Sequence, residues 1–157
     1  MDAPAPSPTN TLLVALDLSA ATHRILREVR RLAETRAMRV VLLHAAPPDP
    51  DFVGYEAGPQ SVRDQIAEHF RDEHARIQDE AGALREAGID ARGLLVQGPA
   101  ARCVLDEAEA LDADWIVLGS HGHGAVRTLL MGSTVEQVLK HADRPVLVVP
   151  ARDAGDR

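Results

Sequence analysis

The chain has 157 residues, 45% of them apolar, and a formal net charge of −7. That length suits one domain with a real core and is short for two. The acidic balance argues against a nucleic-acid partner, which would require a concentrated basic face to displace counterions from phosphates.

Cys103, the only cysteine, excludes an internal disulfide and fits a reducing compartment. No apolar run approaches the ~18 residues of a membrane span, so no membrane partner is expected. The first ten residues, MDAPAPSPTN, lack the basic and apolar regions of a signal peptide, which points to the cytoplasm. Residues 1–10 and 151–157 are expected to be flexible ends around one domain at 11–150.

The apolar run at 11–16 predicts a first strand buried on both faces, ending at Asp17. From Ser19, a helix is expected, with Ile25, Leu26, Val29, Leu32 and Ala33 on its apolar face. Its arginines at 24, 27, 30 and 31 sit among acids and read as a solvated face. Residues 39–45 form the second strand. A Pro- and Gly-containing loop follows, and then a long helix opened by a Ser61/Asp64 capping box. Val62, Ile66, Phe70, Ile77, Ala81 and Leu84 supply its stripe, and Gly88 a left-handed stop.

Residues 89–97 give a third strand. Gly98 and Pro99 start a helix with Pro99 at its first position, and Val104, Leu105, Ala108 and Leu111 on one face. Cys103 lies on that helix as a structural thiol, since the sequence supplies no basic neighbour to activate it. Residues 114–119 and 144–150 are the fourth and fifth strands. Five apolar strands alternating with helices describe an α/β domain, an open parallel sheet covered by helices on both faces. In such sheets ligands bind at the edge formed by the strand-to-helix loops.

Between strand four and the next helix runs GSHGHGAVRTLLMGSTVEQV, residues 119–138. Ser133 and Glu136 form a capping-box pattern, so the amides that follow Ser133 open a helix whose N-terminus attracts anions. Gly132 leaves room for a phosphate. Gly119, Gly122 and Gly124 could take positive φ and turn their amides inward, and Arg127 could neutralise charge. Composition alone weighs this evenly against a flexible turn before an ordinary capped helix. A Walker loop is absent, a dinucleotide fingerprint is absent after strand one, and QGPA after strand three has no acceptor Asp.

His121 and His123 raise a metal site, with His44 and Asp17 as further ligands. No helical i, i+4 His pair and no Cys partner supports it, and no protein-bound metal is expected. A general base could come only from His44, His121, His123 or Asp17, and nothing sets any of them against a water. No catalytic residue is assigned.

The spacing Gly119-x2-Gly122-x9-Gly132-Ser133 resembles the G-x2-G-x9-G-S/T signature of the universal stress protein family. VALDLS, VVLLHA, QGPA and HADRPVLVVP resemble further family segments in order, so the likeness covers about residues 11–150. The Pro-rich start and His123 depart from the pattern. The resemblance implies a Rossmann-like sheet of order 3-2-1-4-5, dimerised through the fifth strand with Val146 and Val148. In one branch of the family it also implies an ATP site, with Mg²⁺ between Asp17 and phosphate. There the backbone at Ala15 and Ala45 and the Asp17 carboxylate would hold adenosine. Gly119, Gly122, the His123 backbone, Gly132, Ser133 and Thr134 would hold the triphosphate. The glycine signature sorts this chain with that branch, as a nucleotide-dependent regulatory switch. The alternatives are a dimeric stress-response scaffold without ligand, and a slow Mg-dependent ATPase.

Overall fold

Five apolar segments become five parallel strands, of which β1, β2 and β4 at the centre of the sheet are buried on both faces. The computed structural model describes residues 10–47, 60–120 and 132–150. In chain order its elements are β1 (Asn10–Ala15), α1 (Thr22–Thr35), β2 (Met38–Ala46), α2 (Gln60–Glu86), β3 (Asp90–Gln97), α3 (Ala100–Ala110), β4 (Trp115–Gly119), α4 (Ser133–His141) and β5 (Val146–Val149). The sheet order is β3-β2-β1-β4-β5, parallel throughout. The expected fold class and strand order are those observed.

Strand alternation splits the core in two. Leu12, Val14, Val40 and Leu42 face α1 and α2, where Ile25, Val29, Ile77 and Leu84 meet them. Leu13, Val41, Leu43 and Ile116 face the other way, onto Val104 and Ala108 of α3 and Val135 and Val138 of α4. Successive side chains of a strand point to opposite faces, so one apolar run feeds both layers. Chain order reverses between the neighbouring strands β1 and β4. The connections after them leave toward opposite faces, and the C-terminal ends of this pair border the crevice where such sheets bind ligands.

Element ends differ from the sequence expectation where local hydrogen bonds take over. α1 starts at Thr22 rather than Ser19. The Ser19 hydroxyl accepts the Ala21 amide at 3.2 Å, and the Ser19 carbonyl accepts the Thr22 amide at 3.0 Å, which makes a turn ahead of the helix. Leu32, expected in the stripe, is 37% exposed. Pro99 is the N-cap of α3 rather than its first residue, with extended backbone at φ −60° and ψ 125°. α2 begins at Gln60, one residue before Ser61, whose side chain falls outside the described set.

Gly88 ends α2 as anticipated, with φ +83°. Its amide donates to Arg85 O and that of Ile89 to Leu84 O, at 2.9 and 3.1 Å. Those are the two bonds of a Schellman motif, and the Leu84–Ile89 apolar contact expected with it lies inside the α1/α2 core. Among the described residues no helix is long and apolar enough to cross a membrane.

Candidate functional site

The ladder from β1 to β2 continues one residue past the strand, where the Leu16 amide donates to Leu43 O at 2.8 Å. Asp17 follows, with its Oδ1 accepting the Ser19 amide at 3.0 Å. This Asx turn fixes the carboxylate against its own loop. Between them Leu18 adopts φ 57°, a left-handed conformation that costs a residue with a Cβ roughly 1–2 kcal/mol. Burying the Leu18 side chain to 6% exposure offsets that cost.

Ala15 lies at the end of β1, half-buried, on the α3/α4 face with Leu13. Ala45 shares that face by strand alternation with Val41 and Leu43. The same face receives α4. Its N-cap is Gly132, in extended backbone with φ −62° and ψ 152°, and no side chain among the described residues caps the helix.

The expected Ser133/Glu136 capping box is therefore not formed. Ser133 is already helical, and the Glu136 amide donates to Gly132 O at 3.1 Å. The first-turn amides of Ser133, Thr134 and Val135 precede that first helical bond, so this helix end presents donors together with about half a positive charge. Ser133 is exposed and Thr134 half-buried. The Gly132 amide donates to Ser120 O at 3.1 Å, and the Ser120 amide to Val149 O at 2.8 Å. These bonds moor the start of α4 to the exit of β4.

Gly119 is the last residue of β4, in register with Val149. The positive-φ glycines among the described residues are Gly88 and Gly98, so Gly119 forms strand backbone and not the turned-in nest expected of it. Gly122, His123, His121, Gly124 and Arg127 lie outside the described residues. The structure thus brings Ala15, Asp17, Gly119, Gly132, Ser133 and Thr134 to the loop edge of the neighbouring pair β1 and β4, and Ala45 to the end of the adjoining β2.

His44, weighed as metal ligand or base, hydrogen-bonds through Nδ1, while Nε2 has no hydrogen-bond partner among the described residues. Nδ1 lies 2.8 Å from Leu16 O, and Nε2 lies 3.3 Å from Oε1 of Glu73, which His69 also approaches at 3.2 Å. The ring is 6% exposed and points to the α2 face. Among the described residues no group of three or more His, Cys, Asp or Glu is arranged to hold a metal ion. Burial and the neighbouring Asp106 push the Cys103 thiol pKa up, opposite to the activation a nucleophile requires.

Arg76, which donates from Nη2 to Leu18 O at 2.6 Å, was not foreseen. Its partner lies 58 residues away in sequence, and no local pattern announces such a pairing.

Comparison with known proteins agrees with this layout. The family model described as the universal stress protein family matches residues 8–150. A universal stress protein of Thermus aquaticus is 31% identical over 140 residues, covering 88% of this chain and 97% of that protein. Universal stress protein MJ0577 of Methanocaldococcus jannaschii has a solved structure that superposes with a TM-score of 0.77 at 24% identity, over 94% of this chain and 100% of its own. A universal stress protein solved in complex with cAMP has a TM-score of 0.62 at 22% identity, over 93% of this chain and 100% of its own. With the family model spanning all five strands and both halves of the crevice, the chain belongs to the universal stress protein family.

Proposed function

We propose that the chain is a cytoplasmic, dimeric regulatory protein that binds ATP with Mg²⁺ at the β1/β4 crevice and changes its contacts with nucleotide state. The observation carrying this is the α4 N-terminus: no side chain among the described residues caps it, it opens with Gly132, and it is moored beside the exit of β4. Such an end offers phosphate its first-turn amides, which precede the first intrahelical bond. The solved relative with cAMP supports an adenine ligand.

Ala15, Ala45 and Asp17 would hold the adenosine. Gly119, Gly132, Ser133 and Thr134, with Gly122 and His123 from outside the described residues, would hold the phosphates. Bound Mg²⁺ would neutralise phosphate charge beside Asp17. Among the described residues none near the site is set as a general base, since His44 is buried on the α2 face with Nδ1 bonded to Leu16 O, so binding is favoured over turnover.

The dimer would form through β5, an edge strand pairing with β4 alone in the described sheet. There Val146 and Val148 are only half-buried, and an uncovered edge is a template for pairing. Titrating the nucleotide-stripped chain with Mg-ATP tests the proposal. Saturable heat supports it, and no heat at millimolar nucleotide favours the ligand-free scaffold.

A further inference from the structure

The backbone around Asp17 is held from behind, from the face of the sheet opposite to Ala15 and α4. The carbonyl before Asp17, on Leu16, meets His44 Nδ1 at 2.8 Å. The carbonyl after it, on Leu18, accepts the 2.6 Å bond from Arg76 Nη2. A carbonyl can only accept, so Nδ1 carries a proton here. The other ring nitrogen lies 3.3 Å from the Glu73 carboxylate, whose side chain is only 12% exposed, and burial against α2 leaves the ring little room to turn.

Leu18 is held at φ 57° next to the residue expected to meet ligand, and strained backbone of this kind persists only where its surroundings over-determine it. Arg76 is an exposed residue of α2. Committing its long side chain to one carbonyl gives up rotamer freedom.

We infer that His44 and Arg76 are positioning residues, which clamp the two carbonyls flanking Asp17 so that its carboxylate meets an incoming nucleotide already oriented. The clamp couples α2 to the site without either side chain touching ligand. Its consequence for affinity rests on the nucleotide-binding proposal above, whereas the clamping itself can be measured on the ligand-free chain.

The experiment follows amide hydrogen exchange at Ser19 and Ala21, whose N–H groups bond to Asp17 Oδ1 and Ser19 Oγ, together with Mg-ATP affinity by calorimetry. His44→Leu and Arg76→Met should speed exchange at Ser19 roughly tenfold, as expected for losing one strong hydrogen bond, with the amides of β1 unchanged. His44→Asn, whose amide can replace Nδ1 as donor, should restore slow exchange. Arg76→Met alters an exposed helix position and so tests the clamp even if a His44 variant folds poorly.

Affinity for Mg-ATP should weaken by about the same factor in His44→Leu and Arg76→Met and recover in His44→Asn. Wild-type exchange in both loss variants overturns the clamp. Raised exchange with unchanged affinity overturns its link to the ligand. A wild-type chain that binds no Mg-ATP while exchange still responds overturns the nucleotide-binding proposal and upholds the clamp as a device of the turn.

Discussion

Gly93, in the middle of β3, lies where α2 passes closest to the sheet. A Cβ built there would sit 2.9 Å from the backbone oxygen of Ile77 and 3.1 Å from its carbonyl carbon, and neither atom can yield without moving the helix. Gly82, on α2 itself, would place a Cβ against nothing nearer than Arg85 Nη2 at 3.7 Å. The two substitutions to alanine should therefore have opposite signs. Gly93→Ala is expected to destabilise by about 1–3 kcal/mol through overpacking. Gly82→Ala should stabilise by up to about 1 kcal/mol through helix propensity. Urea unfolding of both variants against the wild type checks the pair. The sequence does not separate these glycines, since the difference is a close approach between segments. The same holds for His44, which was legible as a chemically interesting residue but not as one buried with its Nδ1 on Leu16 O.

At the scale of elements, continuous apolar runs located the strands and three-and-four stripes located α1, α2 and α3, while the Ser133/Glu136 pattern placed α4. The ends were less legible, being set by hydrogen bonds that compete within a few residues. The Ser19 turn delays α1 to Thr22, and Gly132 displaces Ser133 as the cap of α4.

The junction before β5 shows such a bond pattern across distance. Arg144 Nη1 donates to Ala108 O at 2.8 Å and Ala113 O at 2.7 Å, tying the end of α3 and the start of β4 to the last strand. Its side chain is 15% exposed, so those carbonyls are poorly placed to find water instead. Arg144→Met, which keeps the stem, should lower unfolding free energy by about 2–3 kcal/mol.

The hydrogen bond from Arg144 holds the neighbouring Asp143 carboxyl below its ordinary 3.8. Because the folded pKa is the lower one, that contribution is present above the unfolded value and fades as pH falls through the folded one. The gap between wild type and Arg144→Met should accordingly be full near neutral pH and narrow, without closing, in acid below about pH 4. A gap that widens in acid would contradict the pairing.

For the whole molecule, strand order follows from the family resemblance together with short right-handed connections, and it set the crevice before any side chain was known. What the letters did not specify is how the crevice is built. The glycine signature suggested turned-in amides at Gly119, Gly122 and Gly124, whereas Gly119 is strand and the other two lie outside the described residues. Assembly belongs to this scale too. If β5 covers itself with a second copy, sedimentation equilibrium at micromolar concentration should give twice the chain mass of 16.9 kDa, and a monomer would contradict the β5 dimer.

Gly132 provides the sharpest handle on function. Its φ of −62° and ψ of 152° are open to any residue, so a side chain there should fill the phosphate position while the chain still folds. The deciding measurement is calorimetric titration of nucleotide-stripped wild type and Gly132→Val with Mg-ATP, alongside their melting temperatures. Nucleotide binding at the α4 N-terminus predicts saturable heat for the wild type and none for Gly132→Val at a similar melting temperature. Silence from the wild type, or equal binding by the variant, would contradict it.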